Sequence, residues 1–475
     1  MIRNYLTIAI RNIVRHKSFS FMGLAISMST CLLVIMVLAD LKSYDQFHTN
    51  KDRIYRLLTK PEGSEANGTT PYPLGDAIME EYHGIESMVR IRSWVGGDVK
   101  YNDNVVPLSA YYASKDFLKV FDFILADGNK YKALEEPFSI VLTHETAEKL
   151  FKGEDPVGKQ VSFIDKGVGF LGLDIGAKEN DLGSFIITGV LDEKPYKSHF
   201  EFEALFSFST LESLAKEGKE SIPYDDWKSY WSFYHYIMLK EGVLPSDVEP
   251  VLSSISDSQY APFENLTMSF KMEPLTKITP GKMISNPISL RLPIEAFYFL
   301  AILAIIVIFS ACFNYTNLSI AKALSRAREV GIRKISGAYR KQIFFQFISE
   351  AIVISLIALI LAIGLLQVIK LGFSGLWLSK HIQIHLDENL LIALAFILFS
   401  LITGIVAGLL PAIYLSSFKP AYVLKSDFGS SNRKRGGFLG KAGLGKTLIV
   451  AQFAISLLFI ITATLVYFQL NYVMN

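Results

Sequence analysis

Cysteine and histidine are scarce in this sequence. Cys31 and Cys312 are its two cysteines, and both fall in long apolar runs, which excludes a disulfide framework. The eight histidines are scattered, and His144 has Glu148 where a zinc-protease helix needs its second histidine. A nucleophile-elbow motif is also missing. The sequence therefore predicts neither a catalytic nor a metal site.

A phosphate-binding loop is present only as a formal pattern. Gly440 is followed, after four residues, by Gly445-Lys446-Thr447. A working loop of this kind follows a buried strand and precedes a soluble helix. Here a basic linker precedes the pattern and a strongly apolar run follows it. We interpret residues 428–445 as a flexible linker, and we predict no cofactor bound by this chain.

Apolar residues are abundant instead. They make up 51% of the chain and give a mean hydropathy of +0.32, which is typical of an integral membrane protein. A helix that crosses the bilayer needs about 20 apolar residues. The segments long enough to do so are residues 19–41, 292–321, 343–369, 389–415 and 447–470.

Charge is segregated along the chain. Residues 1–18 carry four basic residues and no acid, and residues 322–342 and 416–446 each carry seven basic residues and one acid. Residues 42–291 hold 27 Lys/Arg and 38 Asp/Glu, a net charge of −11. Because short cytoplasmic loops are rich in Lys and Arg, we expect the three basic segments inside. Residues 42–291 and the loop 370–388 are then outside.

Amide and carboxyl side chains occur inside the predicted spans, where polar groups are costly. Asn314 and Asn317 are three residues apart and share a helix face, and Glu350 lies at a similar depth in the next span. A contact between Glu350 and one of these amides would join two helices. These side chains either pack the bundle or transmit movement.

A pair of small residues marks the fourth predicted span. Gly404 and Gly408 are four residues apart, and Pro411 follows them. Small residues permit close helix approach, and a proline favours a local kink. The pair is interpreted as a packing face, either inside one bundle or between two copies of the chain.

Residues 42–291 have the short apolar runs and turns of a mixed α/β domain. Predicted strands are residues 87–101, 105–112, 138–142, 160–164, 184–191, 233–239 and 266–272. Predicted helices are residues 114–121, 143–151 and 246–259, with Ser114, Thr143 and Ser246 as N-caps, and residues 167–183 are a surface excursion. The predicted fold class is an α+β membrane protein, a helical transmembrane bundle with a large mixed α/β extracytoplasmic domain inserted after the first span.

Several stretches match the motifs of a known family in the same order. They are Ala9-Ile10-Arg11-Asn12 with Gly23-Leu24-Ala25-Ile26-Ser27, Arg326-Ala327-Arg328-Glu329-Val330-Gly331-Ile332-Arg333-Lys334 with Gly337-Ala338 and Glu350, Ala407-Gly408-Leu409-Leu410-Pro411-Ala412 with Pro420-Ala421 and Leu424-Lys425, and Asp155-Pro156-Val157-Gly158-Lys159. On these motifs the chain resembles the FtsX/MacB-type permeases of ABC transporters.

The resemblance implies a role and partners. Such permeases sit in the bacterial inner membrane with a cytoplasmic N-terminus, and a separate cytoplasmic ABC ATPase subunit binds the ATP. Two permease units act together in the lipid bilayer, as a homo- or heterodimer, and a periplasmic adaptor is a further candidate partner. Nucleic acid is not expected. The implied work is efflux by mechanotransmission, the export or extraction of a peptide, drug or lipoprotein outside the membrane.

The resemblance also places the ATPase contact on residues 322–342. We expect this basic segment to form a short helix at the membrane surface. The candidate contact residues are Arg326, Arg328, Glu329, Arg333 and Lys334, because fixed charges on a helix orient docking.

Other interpretations stay open at this stage. A non-transporting regulator of cell-wall hydrolases, or a peptide sensor of the same family, would use the same movement. A membrane-anchored sensor or enzyme unrelated to ABC systems predicts no ATPase partner. The family unit has four spans, whereas five are predicted here. We therefore expect a tandem-unit form, cut off after the first span of its second unit.

Overall fold

The computed structural model describes residues 19–166, 179–194, 196–263, 266–289, 293–373 and 390–417, and single residues between 450 and 469. The chain forms two compact units. The helical unit comprises the residues up to Asp40 and from Tyr298 onwards, and the α/β unit comprises Leu41–Phe297.

Long apolar helices make up the helical unit. They are α1 (Phe19–Lys42), α7 (Ile294–Ile335), α8 (Arg340–Phe373) and α9 (Leu390–Ser416). Each contains a stretch long and apolar enough to cross a membrane, so the chain is a multi-pass membrane protein. The predicted fifth span, residues 447–470, is described only at single residues, which are helical. That span stays a prediction.

The structure corrects the prediction for the basic segment 322–342. This segment does not form a separate short helix at the membrane surface. Its first part continues α7, which runs for 42 residues without interruption. At 1.5 Å per residue this helix is about 63 Å long, roughly twice the hydrocarbon thickness of a bilayer. The end of α7 is therefore a rigid extension of the second span.

In the α/β unit, ten described strands form one mixed sheet. They are β1 (Ile54–Pro61), β2 (Ile85–Tyr101), β3 (Asn104–Ala113), β4 (Leu125–Gly128), β5 (Ser139–Leu142), β6 (Gln160–Asp165), β7 (Asn180–Leu191), β8 (Ala204–Ser207), β9 (Phe233–Leu239) and β10 (Met268–Pro274). The order is β10-β1-β9-β2-β3-β8-β5-β7-β4, and β6 pairs with β2 and β7. The β3–β8 and β5–β7 pairs are parallel, and the other pairs are antiparallel.

Helices cover this sheet and complete its apolar core. They are α2 (Leu74–Glu81), α3 (Phe117–Val120), α4 (His144–Phe151), α5 (Phe208–Lys216) and α6 (Pro245–Tyr260). Phenylalanine and tyrosine dominate the interior, for example Phe163, Phe185 and Phe206, whose rings contact one another. Such ring pairs add to the stabilisation that apolar burial provides.

All seven predicted strands and all three predicted helices of this unit are confirmed, most of them with shifted ends. The prediction missed β1, β4, β8, α2 and α5. Thr143 is confirmed as an N-cap, since its hydroxyl accepts from the Thr146 N–H. The N-cap predictions for Ser114 and Ser246 are wrong. The N-cap of α3 is Asp116, and the N-cap of α6 is Leu244. Residues 180–183 belong to β7 rather than to an excursion, and residues 167–178 lie outside the described part.

A buried histidine on β9, His235, makes two hydrogen bonds that fix its protonation state. Arg90 Nε donates to His235 Nε2 (3.0 Å), and His235 Nδ1 lies 2.6 Å from Thr70 Oγ1. Because Nε2 accepts, the proton sits on Nδ1 and the ring is neutral. Burial, together with the Arg90 guanidinium, holds the pKa of His235 well below 6.5.

This arrangement predicts that acid weakens the α/β unit. The unfolded chain binds a proton at His235 near pH 6.5, whereas the folded chain does not. The free energy of unfolding therefore falls as the pH drops below 6.5, by up to about 1.4 kcal/mol per pH unit. Unfolding titrations of the full chain in detergent measure this free energy at pH 7.5 and 5.5. His235→Gln should lose about 1.4 kcal/mol less of it between these two pH values than the unchanged chain does. Equal losses in both proteins would contradict this prediction, and exposed His83→Gln is the matched control.

Candidate functional site

The turn between α7 and α8 has a fixed backbone. The Ala338 N–H donates to the Arg333 carbonyl (3.0 Å), and the Gly337 N–H donates to the Lys334 carbonyl (3.2 Å). Together these two bonds form a Schellman motif, which satisfies carbonyls at a helix end. Gly337 has φ +93°, a left-handed conformation that other residues adopt only with strain. The sequence therefore specifies where α7 stops.

The start of α8 is fixed as well. The Tyr339 N–H donates to Gln342 Oε1 (3.0 Å), as in one half of a capping box. Below the turn lies a small apolar cluster of buried residues: Val330, Ile343, Phe347, Ala412 and Leu415. The turn thus rests on packed side chains from α7, α8 and α9, and it can move only together with these helix ends.

Two of the predicted ATPase contacts hold these helix ends together. Arg333 donates from Nη2 to Glu329 Oε1 (2.6 Å) and from Nη1 to Gln346 Oε1 of α8 (2.7 Å). Lys334 Nζ donates to the Ser416 carbonyl at the end of α9 (2.7 Å). Both basic side chains are partly buried. They therefore link α7 to its neighbours, a role that the sequence analysis did not assign to them.

The remaining predicted contacts are only partly described. Glu329 is exposed and forms the i,i+4 ion pair with Arg333. Arg326 and Arg328 lie on α7, but their side chains are outside the described part of the structure. The ATPase contact at these residues stays a prediction.

Apolar side chains are exposed around this turn. Ile332 is 54% exposed, Ile335 62% and Tyr339 75%. Arg340 and Lys341 follow directly and are also exposed. We call these five residues the turn surface. Exposed aromatic and aliphatic side chains beside basic residues are typical of a protein–protein contact.

The polar residues predicted inside the spans lie at different places in the bundle. Glu350 on α8 is buried, with 8% of its surface exposed. Asn314 faces α1, because its Nδ2 lies 3.3 Å from the position that a Cβ on Gly23 would take. Asn317 Oδ1 is buried and accepts no hydrogen bond among the described residues. The contact between Glu350 and one of these amides stays a prediction.

Hydroxyl groups, which the sequence analysis missed, provide the clearest polar links between helices. Thr316 Oγ1 on α7 donates to the Ala407 carbonyl of α9 (3.1 Å). Ser355 Oγ on α8 donates to the Ser400 carbonyl of α9 (2.6 Å). Serine and threonine commonly join spans in this way. The available signal in the sequence was that the acceptor residues Ser400 and Ala407 are small and lie within four residues of Gly404 or Gly408.

α8 and α9 approach each other closely at Gly404 and Gly408. A Cβ on Gly404 would lie 2.8 Å from Ile352 Cα, and one on Gly408 would lie 2.6 Å from Ala351 Cβ. Pro411 is buried further along α9. The small-residue face is therefore covered by α8 of the same chain, which leaves it unavailable to a second copy.

Sequence comparisons match both units to families. Residues 19–255 match the MacB-like periplasmic core domain, and residues 301–420 match the FtsX-like permease C-terminal family. The two matches follow each other in the chain and together include α1, most of the α/β unit and the helices α7 to α9.

Individual relatives are ABC transporter proteins. The permease YvrN of Bacillus subtilis is 31% identical over 23% of this chain and 25% of its own length. The permease MJ1507 of Methanocaldococcus jannaschii is 25% identical over 70% of this chain and 75% of its own. The macrolide export ATP-binding/permease protein MacB of Salmonella typhi is 23% identical over 69% of this chain and 44% of its own length. The chain thus spans about a quarter of YvrN and less than half of MacB.

Proposed function

The chain belongs to the FtsX/MacB-type permeases of ABC transporters, and on this premise we propose that it couples ATP hydrolysis by a separate ATPase subunit to export or extraction of a substrate. The substrate class is a peptide, drug or lipoprotein on the extracytoplasmic side of a bacterial inner membrane. A second permease unit and a periplasmic adaptor are the further partners that we propose. The N-terminus and the turn surface then face the cytoplasm.

The turn surface is the observation that carries this proposal. Ile332, Ile335 and Tyr339 are exposed on a turn whose backbone is fixed by Gly337. A fixed turn keeps its shape when a partner pushes on it. Tyrosine and arginine side chains, here Tyr339 and Arg340, are among the residues that supply most of the binding energy in protein contacts. The neighbouring basic residues also orient the partner.

The continuous α7 supports the transmission of a stroke. Its candidate membrane span is Ile294–Ile320, and the helix continues to Ile335. At 1.5 Å per residue, these last 15 residues lengthen the helix by about 22 Å. A push on the turn surface acts on the far end of this rod. Because Arg333 and Lys334 tie it to α8 and α9, the helix ends move together.

The direct test is co-purification with an ATPase. Tyr339→Ala with Ile335→Ala should reduce the ABC-type ATPase retained with the chain from native membranes by at least about tenfold, because truncating a central aromatic anchor typically removes 2 kcal/mol or more. Retention is measured as ATP hydrolysis, and mass spectrometry identifies the protein. Both side chains are exposed, so the fold should be unaffected.

Ile360→Ala with Val368→Ala provides the matched control. These α8 residues are 70% and 65% exposed and lie outside the turn surface. Their variant should retain as much ATPase as the unchanged chain. Equal retention by the turn-surface variant would contradict the proposal. We avoid Arg333→Glu as a probe, because Arg333 also links α7 to α8.

A further inference from the structure

Two chain segments connect the α/β unit to the helices. The chain leaves α1 at Lys42 and enters α7 at Ile294. We call residues 43–50 the lead-out segment and residues 288–289, which precede α7, the lead-in segment. The loop between β7 and β8, over residues 196–203, binds both of them. These two segments are the covalent connections between the helices and the sheet.

The lead-out segment is bound through a buried carboxylate. Asp45 accepts from Ser198 Oγ (2.6 Å) and lies 2.8 Å from His199 Nδ1. Its backbone N–H donates to the Lys197 carbonyl (2.8 Å). The Asp45 and His199 side chains are each only 1% exposed. A buried carboxylate with this many donors stays ionised and holds its position.

The lead-in segment is bound to the same loop. Ser289 Oγ donates to the backbone carbonyl of His199. Nearby, Tyr111 OH donates to the Ile288 carbonyl (3.4 Å) and accepts from the Glu201 N–H (3.3 Å). His199 therefore contacts both connecting segments, one with its ring and the other with its carbonyl.

The other ring nitrogen of His199 is hydrogen-bonded to a residue of the sheet. His199 Nε2 lies 2.9 Å from Tyr236 OH on β9. The ionised Asp45 carboxylate can only accept, so Nδ1 carries the proton that is donated to Asp45, and Nε2 accepts from Tyr236 OH. Donation thus runs from β9 through the His199 ring to the lead-out segment.

We propose that His199 is the positioning residue that makes the lead-out and lead-in segments move as one body with the central strands. This inference rests on the proposed function, because a stroke made at the turn surface matters only if it reaches the sheet. With His199 in place, displacement of either segment displaces β9. Without the imidazole, the loop that binds both segments loses its hydrogen bond to β9, and both segments are held less tightly to the sheet.

Hydrogen exchange of the full chain in lipid nanodiscs tests this joint. His199→Gln should increase exchange about tenfold in peptides covering residues 43–50 and 286–296, as expected when about 1.4 kcal/mol of hydrogen bonding is lost. Exchange in β2 should stay unchanged. His235→Gln is the matched control, because His235 is equally buried on the sheet but contacts Thr70 and Arg90 instead. Increases equal to those of this control would overturn the proposal.

A second variant tests the coupling from one side only. Ser289→Ala removes one hydroxyl of the lead-in segment and should leave the fold intact. If His199 couples the segments, exchange should also rise in residues 43–50, which Ser289 does not contact. A rise confined to residues 286–296 would overturn the proposal even if His199→Gln failed to fold.

The outcome is independent of the ATPase test. Exchange is measured without an ATPase, so loss of the joint and loss of ATPase binding are separate results. His199→Gln should retain the ATPase as well as the unchanged chain does, because the turn surface is untouched. Loss of retention in this variant would overturn the assignment of His199 to positioning alone.

Discussion

Gly408→Val is expected to abolish accumulation of the folded helical unit, whereas Gly364→Val should be tolerated. Both residues lie in apolar helices. A Cβ on Gly408 would lie 2.6 Å from Ala351 Cβ, but one on Gly364 would have no atom of the described residues within 4 Å. Cβ atoms do not approach to 2.6 Å, so α8 and α9 must separate. Overpacking of this kind typically costs 1–3 kcal/mol, and a branched side chain at a helix crossing lies at or above the upper end.

The measurement is the yield of monodisperse protein in detergent, by fluorescence-detected size exclusion. Gly404→Val gives an independent check, because a Cβ there would lie 2.8 Å from the Ile352 main chain and a backbone atom cannot rotate away. A normal yield for Gly408→Val would show that α8 and α9 do not pack closely at this point.

The second large effect concerns the buried ion pair in the α/β unit. Glu273→Ala should destabilise this unit by about 3–5 kcal/mol, because it leaves a buried guanidinium without its counter-ion. Arg56 Nη2 lies 2.5 Å from Glu273 Oε2, and the Arg56 side chain is only 1% exposed. The Arg56 Nε is also buried, and it has no hydrogen-bond partner among the described residues. It therefore makes no second bond that would compensate for the loss of Glu273.

A neighbouring surface pair provides the control for this prediction. Arg53 Nη1 and Glu86 Oε2 lie 2.8 Å apart, but their side chains are 25% and 38% exposed. Glu86→Ala should therefore cost less than about 1 kcal/mol. Replacing both partners, Arg56→Met with Glu273→Leu, should recover most of the loss. Unfolding titrations of the full chain measure all three variants. Equal costs for Glu273→Ala and Glu86→Ala would contradict the prediction.

Strands with a clear apolar pattern were predictable. The prediction for residues 233–239 has the same bounds as β9, whose seven residues are all buried and mostly aromatic or aliphatic. β1 was missed because Arg56 interrupts its apolar run. That residue is buried only because Glu273, 217 residues later in the chain, neutralises it. β8 has four residues, too few for a periodicity to appear.

The candidate site was predictable in position but not in detail. The basic residues of 322–342 and the motif around Gly331 predicted it on the link between the second and third spans, where the turn surface lies. Charge alone predicted contacts at Arg333 and Lys334, although both side chains bind within the chain. The i,i+4 spacing of Glu329 and Arg333 was a signal for an internal pair. Nothing local indicated that Lys334 would reach Ser416.

The sequence by itself determined the class of protein, the apolar helices and the family. These depend on local hydrophobicity and on short motifs, which each segment carries without reference to the others. The tertiary structure alone decided which residues act together. Asp45 meets His199 across 154 positions, and α9 meets α8 at Gly408. Such pairs arise because folding closes long loops around one core, and their geometry depends on all the packing between them.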